Sequence, residues 1–239
     1  MKIWITGGTG FVGQRLSALL LDQGHGVVAV GSRPAFEGIR HGNFRYVSAD
    51  TSFEGSWQEG IREADAVVNL TGRPIFGYWT ERTKAQIYES RVATTRNIVA
   101  ALAGDPGRER VLVSTSGVGY YGDRGDEILT EASSRGEGFL ADLSRDWEAA
   151  ALAAEAHGVR VVTARFGVVL DPAGGALKQM LPPFRLGLGG PLGDGRQWFP
   201  WIHMDDLVAA LVFALTESRV SGPVNLTAPK PVQNRDFAR

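Results

Sequence analysis

The chain has 239 residues, with 25 Lys and Arg against 26 Asp and Glu and no cysteine. The near-zero net charge gives no reason to expect nucleic acid or a membrane surface as a partner, and the absence of cysteine excludes disulfides and zinc-thiolate sites. No apolar run is long enough to span a bilayer and no signal peptide is evident, so we expect a soluble cytoplasmic protein.

A glycine-rich turn lies near the start of the chain. Ile3-Trp4-Ile5 predicts a strand, the periodic leucines from Leu16 onwards predict a helix, and Thr6-Gly7-Gly8-Thr9-Gly10-Phe11-Val12-Gly13 lies between them. A strand, a glycine turn and a helix in this order direct helix N-terminal amides at a phosphate. Tight turns alone could also explain the glycines. The context favours nucleotide binding by Gly7, Thr9, Gly10, Phe11, Val12 and Gly13.

Strands and helices alternate after this turn. We predict strands at residues 27–30, 44–47, 66–70, 110–114 and 160–166, and helices at about 57–62, 80–102 and 139–157. Continuous β-branched strands between amphipathic helices indicate a parallel sheet that is covered on both faces. Residues 1–167 are therefore predicted to form an α/β domain, a Rossmann-type doubly wound parallel sheet.

Residues 168–239 break this alternation and are predicted to form a small substrate lobe interleaved with the main sheet. Asp205 and Asp206 open a predicted helix, and a late strand follows at 224–226. Together with His203 they could suggest a metal site, but a helix N-cap at Asp205 or Asp206 is favoured and no metal is predicted. The last residues, from Asn234 as a cap, look like the start of a helix, so we expect a C-terminally truncated chain.

The residues after the second predicted strand indicate which dinucleotide is bound. An Asp or Glu at this point holds the ribose 2′-hydroxyl of NAD, whereas this chain has Ser32-Arg33. A guanidinium can bind a 2′-phosphate, so NADP is predicted, with NADPH preferred over NADH. Asp50 could bond the adenine amino group or merely cap a turn. Leu70, Thr71 and Gly72 follow the fourth strand, where ligands approach an open α/β sheet.

At this point the chain resembles the short-chain dehydrogenase/reductase superfamily, in its extended, epimerase-like branch. The glycine turn matches the TGxxGxxG pattern of that branch, and Ser114-Thr115-Ser116 with Tyr121-Gly122 looks like its fifth-strand serine and tyrosine-glycine pair. An atypical subgroup, which includes bacterial cell-division-inhibitor-like epimerases, is matched by Gly72-Arg73-Pro74-Ile75, Ser90-Arg91, Ser116-Gly117-Val118-Gly119-Tyr120-Tyr121-Gly122, Trp147-Glu148 and Gly189-Gly190. The resemblance implies a cofactor site that includes Ser114.

The chain departs from the superfamily in its proton relay. The superfamily uses a tyrosine with a lysine four residues later, whose ammonium lowers the phenol pKa. None of the five tyrosines here has a lysine at that spacing, and the expected helix has Leu140 and Ser144 in the two places. The reaction itself is therefore in doubt.

Four residues remain as candidates for contact with the reacting groups. Ser116 could hydrogen-bond a substrate carbonyl or hydroxyl, or only cap a turn. Tyr120 or Tyr121 could supply a proton, or only pack. Arg91 could approach the nicotinamide or the substrate, or form a salt bridge.

Two classes of function stay open. The first is an NADP-dependent oxidoreductase or epimerase acting on a small, possibly sugar-like molecule; the second is a nucleotide-binding or redox-sensing regulator without turnover. The missing tyrosine-lysine pair favours the second, whereas an aromatic and arginine-rich small lobe favours the first. The sequence does not indicate the oligomeric state.

Overall fold

The protein, described by a computed structural model over residues 1–104 and 108–239, is built around a seven-stranded parallel sheet. In chain order the strands are β1 (Lys2–Thr6), β2 (Gly26–Gly31), β3 (Phe44–Ser48), β4 (Ala66–Asn69), β5 (Arg110–Gly117), β6 (Val159–Phe166), β7 (Val168–Asp171), β8 (Trp198–Phe199), β9 (Trp201–His203), β10 (Gly222–Leu226) and β11 (Val232–Gln233). The order across the main sheet is β3-β2-β1-β4-β5-β6-β10. The order reverses at β1, as in a doubly wound Rossmann-type sheet, so the predicted fold class is confirmed.

Seven α-helices connect or follow these strands within the described residues. They are α1 (Phe11–Asp22), α2 (Glu59–Arg62), α3 (Glu81–Leu102), α4 (Phe139–Leu152), α5 (Gly175–Arg185), α6 (Met204–Thr216) and α7 (Asn234–Phe237), with 3₁₀ turns at Ser56–Gln58, Val118–Tyr121 and Ala153–His157. The helix predicted over 139–157 therefore consists of two elements, α4 and the 3₁₀ turn that follows it. Within the same ranges, no helix combines the length and the apolar character needed to cross a bilayer.

Alternate residues of each strand pack against opposite layers of helices. Ile3 and Ile5 of β1 belong to the core beneath α1 and α6, whereas Trp4 packs into the core beneath α2 and α3. All three side chains are at most 4% exposed. Burial on both faces explains why the strands are continuously apolar.

The register of the sheet brings three loops to one edge. Thr6, the last residue of β1, pairs with Val30 of β2 and with Asn69, the last residue of β4. The glycine turn, the Ser32-Arg33 segment and the segment after Asn69 therefore emerge side by side. This edge lies at the carboxyl ends of the strands, where open α/β sheets bind ligands.

Residues beyond 167 contribute to the main sheet as well as to smaller elements. The β10 strand pairs with β6, and α6 packs against α1. The smaller elements are a parallel pair, β7 with β9, and an antiparallel pair, β8 with β11. The division between 167 and 168 stays a prediction.

Two predicted helix caps were wrong. The N-cap of α6 is His203, whose Nδ1 accepts from the Asp205 N–H at 3.2 Å. Asp205 and Asp206 lie in the first turn instead, where carboxylates complement the helix dipole. At the last helix Gln233 is the N-cap, and Asn234 Oδ1 accepts from the Leu192 N–H at 2.7 Å.

Candidate functional site

The glycine turn is fixed by backbone hydrogen bonds to the neighbouring strand. The N–H groups of Gly7 and Gly8 donate to the Val30 carbonyl at 2.9 and 3.3 Å. Gly7 has a φ of +71°, and a Cβ there would lie 2.8 Å from the Leu70 carbonyl carbon. Gly7 thus serves both the turn conformation and the close contact with the loop after β4.

A cleft of about 600 Å³ lies over this turn. It contains nine of the residues predicted to bind the cofactor, namely Gly7, Thr9, Gly10, Ser32, Arg33, Asp50, Leu70, Thr71 and Gly72. The Thr71 Oγ1 atom is buried and has no hydrogen-bond partner among the described residues. Buried hydroxyls are normally hydrogen-bonded, so this atom is available to a polar group in the cleft.

The Ser32-Arg33 segment forms the outer end of the cleft. Tyr46 holds it in place, because its hydroxyl donates to the carbonyls of Gly31 and Arg33 at 2.8 and 2.5 Å. The Arg33 side chain forms no ion pair with any residue in the described ranges. An exposed guanidinium without a carboxylate partner fits a 2′-phosphate.

Asp50 also lines the cleft, and it caps a turn. Its Oδ1 accepts from the Ser52 N–H at 3.0 Å and from the Ser52 hydroxyl at 2.6 Å. The capping alternative considered for Asp50 is therefore observed in the structure, while the carboxylate still faces the ligand side.

Three of the predicted cofactor residues line neither this cleft nor the two other cavities found among the described residues. Val12 packs against the core beneath α1, and Gly13 lies directly against the Gly8 backbone. Ser114 is 1% exposed and accepts a long, 3.4 Å hydrogen bond from Asn69. These three residues pack the turn and the strand ends, and their contact with a cofactor stays a prediction.

A second cavity, of about 450 Å³, adjoins the cleft, and Ser116, Arg91 and Phe11 are among the residues that line it. We call it the Ser116 cavity. Gly10 lines the cleft and the next residue, Phe11, lines this cavity, so the two are neighbours along the turn. Leu140 and Ser144, which replace the usual tyrosine and lysine, both line it. The cavity therefore lies where the superfamily's proton relay would be, without that relay.

Ser116 is connected to a buried ion pair. Its hydroxyl donates to Glu148 Oε1 at 2.6 Å. Arg165 Nε and Nη2 donate to Glu148 Oε1 and Oε2, both at 2.8 Å, and the two charged side chains are 3% and 8% exposed. Glu148 thus takes the Ser116 hydrogen and leaves the Ser116 lone pairs to the cavity. Neither Glu148 nor Arg165 was predicted from the sequence as a site residue.

The two candidate tyrosines lie outside the Ser116 cavity. The Tyr121 hydroxyl donates to Asn225 Oδ1 at 2.6 Å and accepts from Arg165 Nη1 at 2.8 Å. The Tyr120 ring lies under the Arg165 guanidinium, 3.6 Å from ring centroid to Cζ. Both tyrosines contact Arg165 and neither is among the residues that line that cavity, and a proton-donating role for either stays a prediction.

Arg91 lies at the wall between the cleft and the second cavity. Its Nη2 and Nη1 atoms donate to the carbonyls of Arg73 and Ile87 at 2.9 and 3.2 Å, and its Cζ lies 5.2 Å from the centroid of the Trp147 ring. It forms no ion pair with a described residue, so the salt-bridge alternative is wrong within those ranges. Burial lowers the pKa of Arg91 to about 10.

A third cavity, of about 670 Å³, lies on the far side of the 3₁₀ turn that follows β5. Tyr121, Trp198 and Pro200 line it, and the Trp198 Nε1–H donates to Asp126 Oδ1 at 2.8 Å. Trp198 and Pro200, which belong to the aromatic small lobe, therefore line this cavity and not the one that contains Ser116.

The fold and the cleft together define a protein of the dinucleotide-binding Rossmann class. A model of the NAD dependent epimerase/dehydratase family matches residues 3–226. The chain belongs to that family, and the resemblance stated from its sequence is confirmed.

Relatives in distant organisms share this similarity over nearly the whole chain. The chain is 39% identical over 240 residues to epimerase family protein YfhF of Bacillus subtilis, covering 100% of this chain and 78% of YfhF. It is 43% identical to epimerase family protein Mb2239 of Mycobacterium bovis, covering 98% of this chain and 75% of that protein. Among solved structures, human epimerase family protein SDR39U1 with NADPH is 36% identical, with a TM-score of 0.83, covering 100% of this chain and 78% of that one.

Proposed function

We propose that the protein binds NADPH in preference to NADH and is an epimerase-like oxidoreductase acting on a small molecule in the Ser116 cavity. The observation that carries the proposal is the adjacency of the cleft and this cavity. The glycine turn, Thr71 and Arg33 line the cleft, and Ser116 lines the cavity beside it. The human relative crystallised with NADPH supports the choice of cofactor.

The residues of the cleft suit the parts of this cofactor. The helix N-terminus after Gly10 and the unpaired Thr71 hydroxyl would hold the pyrophosphate and its ribose, and Arg33 would hold the 2′-phosphate. When bound, NADPH supplies a hydride for the reduction of a carbonyl carbon.

Ser116 would orient the substrate. Because its own hydrogen is donated to Glu148, Ser116 Oγ is an acceptor for a hydroxyl that enters the cavity. Among the described residues that line the cavity there is no Tyr, Lys, His, Asp or Glu. Reduction of a carbonyl needs a proton at the product oxygen, and the reverse oxidation of a hydroxyl releases one. For either direction, the hydrogen-bonded route between the described cavity lining and a carboxylate runs through Ser116 to Glu148.

The alternative is a regulator that binds NADPH without turning it over. The observation that favours it is the same lack of an ordinary acid or base in the cavity lining. The oxidoreductase is favoured because a buried hydrogen-bonded ion pair positions one hydroxyl at a formed cavity.

A crystal structure of the protein with NADPH tests the proposal. We expect the 2′-phosphate within hydrogen-bond distance of Arg33 and the nicotinamide ring facing the cavity beside Ser116. A nicotinamide ring that faces away from every side-chain hydroxyl, acid or ammonium would overturn the enzymatic proposal and leave the regulator.

A further inference from the structure

The described lining of the Ser116 cavity contains one charge and is mostly apolar. Most of its lining side chains are hydrocarbon or aromatic, among them Phe76, Leu143, Trp147, Phe166 and Val169. Arg91 is the one ionisable side chain among the described residues that line it. A cavity of this composition disfavours a ligand with many hydroxyl groups, because most of those hydroxyls would lose their hydrogen bonds to water.

The Arg91 guanidinium is held in place without being neutralised. Two backbone carbonyls accept from its Nη atoms, and the Trp147 ring lies 5.2 Å from its Cζ. Its Nε donates to no residue in the described part of the chain. A charge that is largely removed from water is normally paired with an anion, and the described residues fix the geometry of this half-buried guanidinium without supplying one.

The other polar groups of the cavity lining suit a single small anion. Ser144 contributes a hydroxyl, and the Thr115 Oγ1 atom is buried with no partner in the described residues. Ser116, whose hydrogen is donated to Glu148, is left to accept a hydrogen bond from another group of the ligand. A carboxylate carries one charge and fits the planar donors of arginine. A phosphate dianion would need a second cation, which the described lining does not contain.

We propose that the Ser116 cavity takes a monocarboxylate with a compact apolar or aromatic body, whose carboxylate binds Arg91. This inference rests on the proposed function, because it names the substrate class of the same site. It differs from the sugar-like substrate considered from the sequence. Arg91 is then a specificity-determining residue, and Ser116 Oγ accepts from a hydroxyl carried by the same compound.

The test compares two probes of the same shape. Benzoate and the uncharged benzamide are titrated by saturation-transfer NMR into the protein, with and without NADPH. A charge-assisted hydrogen bond stabilises by about 1.5–3 kcal/mol, so we expect benzoate to bind roughly 10- to 100-fold more tightly than benzamide. Arg91→Met should abolish that preference, and Arg91→Lys should retain part of it.

The folding of the variants is checked independently. The thermal midpoint of each variant is measured, and a midpoint close to that of the wild type shows that Arg91→Met is folded. Arg91→Lys, which keeps the charge, provides the second variant if Arg91→Met does not fold.

Three results would overturn the inference. The first is equal binding of benzoate and benzamide, and the second is an unchanged preference for benzoate in Arg91→Met. The third is competition of inorganic phosphate with NADPH in the wild type but not in Arg91→Met, which would assign Arg91 to the cofactor. Failure of NADPH to bind sinks the proposed function instead, while the benzoate titration of the free protein still decides the anion site.

Discussion

Arg165 is the residue around which the polar interior of the site is arranged. It pairs with Glu148 through two hydrogen bonds of 2.8 Å, donates to the Tyr121 hydroxyl and covers the Tyr120 ring. Burial works against its charge, but the hydrogen bonds from Arg165 to Glu148 and Tyr121 prevail and raise the pKa of Arg165. Glu148 in turn fixes the Ser116 hydroxyl. One buried cation therefore determines which way the candidate catalytic serine points.

Replacing Glu148 tests how far this arrangement depends on the pair. Glu148→Gln leaves Arg165 buried without a counter-ion, and breaking a buried pair in this way costs about 3–5 kcal/mol. Urea unfolding should show a loss of that order. Glu81→Gln, which removes a surface partner of Lys84, should cost less than about 1 kcal/mol. Equal, small losses in the two variants would show that the buried pair is not needed for the fold.

The Arg33 side chain forms no hydrogen bond or ion pair with the residues that the structure describes, so its replacement should affect binding alone. Arg33→Ala is expected to weaken NADPH binding by roughly 10- to 100-fold, as for a charge-assisted hydrogen bond. NADH binding should be unchanged, since NADH lacks the 2′-phosphate. Arg40→Ala, an exposed arginine outside the cleft lining, is the matched control. Parallel losses for NADPH and NADH would contradict the assignment.

The turn between β1 and α1 has little room for an added side-chain atom. A Cβ on Gly13 would lie 2.7 Å from the Gly8 carbonyl carbon, which is backbone and cannot move aside. Gly13→Ala should therefore displace α1, destabilise the protein by about 1–3 kcal/mol and weaken NADPH binding. Gly26→Ala, whose Cβ would come no closer than 3.9 Å to Met1 O, should do neither. Normal NADPH affinity in Gly13→Ala would show that the turn does not position the cofactor.

The start of β1 is held by Asp65. Its Oδ2 accepts from the Lys2 N–H at 2.7 Å, and this bond, with the Arg108 guanidinium, lowers the pKa of the carboxyl although partial burial opposes it. A carboxyl whose pKa is lower in the folded state stabilises above its unfolded pKa of about 3.9, and the contribution is lost as pH falls through the folded pKa.

Asp65→Asn should therefore be less stable than the wild type at pH 7. The loss should be about 1 kcal/mol, because the group is well exposed. The difference should shrink below about pH 4 as the wild-type carboxyl becomes protonated. Urea midpoints at pH 7 and pH 3 check this, and an equal difference at both values would contradict it.

For the whole molecule, hydrophobic patterning and turn chemistry predicted most of the fold. The apolar runs located the first six strands of the sheet, and the glycine turn located the cleft, because both signals are local. The caps at His203 and Gln233 were missed because they depend on the loops that precede each helix. The predicted helix over 80–102 was correct, with Thr80 as its N-cap.

The inner site could be predicted only in part. The Ser116, Glu148 and Arg165 side chains belong to β5, α4 and β6, and a glutamate within a helix gives no local sign that it is buried. Register explains why Ser114 and Ser116 differ: Ser114 pairs with Asn69, the last residue of β4, whereas Ser116 lies two residues past that end. Ser116 can therefore line a cavity while Ser114 stays within the sheet.

Residues after 167 contribute both to the main sheet and to the hydrogen bonds around Arg165. Asn225 on β10 accepts from Tyr121, and the α6 helix covers the sheet beside α1. The late strand and helix thus support the same Arg165 network that orients Ser116.

The central claim, a cleft that selects NADPH, is tested most directly by isothermal titration of the protein with NADPH and with NADH. In the proposed site the glycine turn would serve both cofactors, and Arg33 with Ser32 would distinguish them through the 2′-phosphate. NADPH should therefore bind more tightly than NADH. No measurable affinity for NADPH, or tighter binding of NADH, would contradict the proposed cofactor.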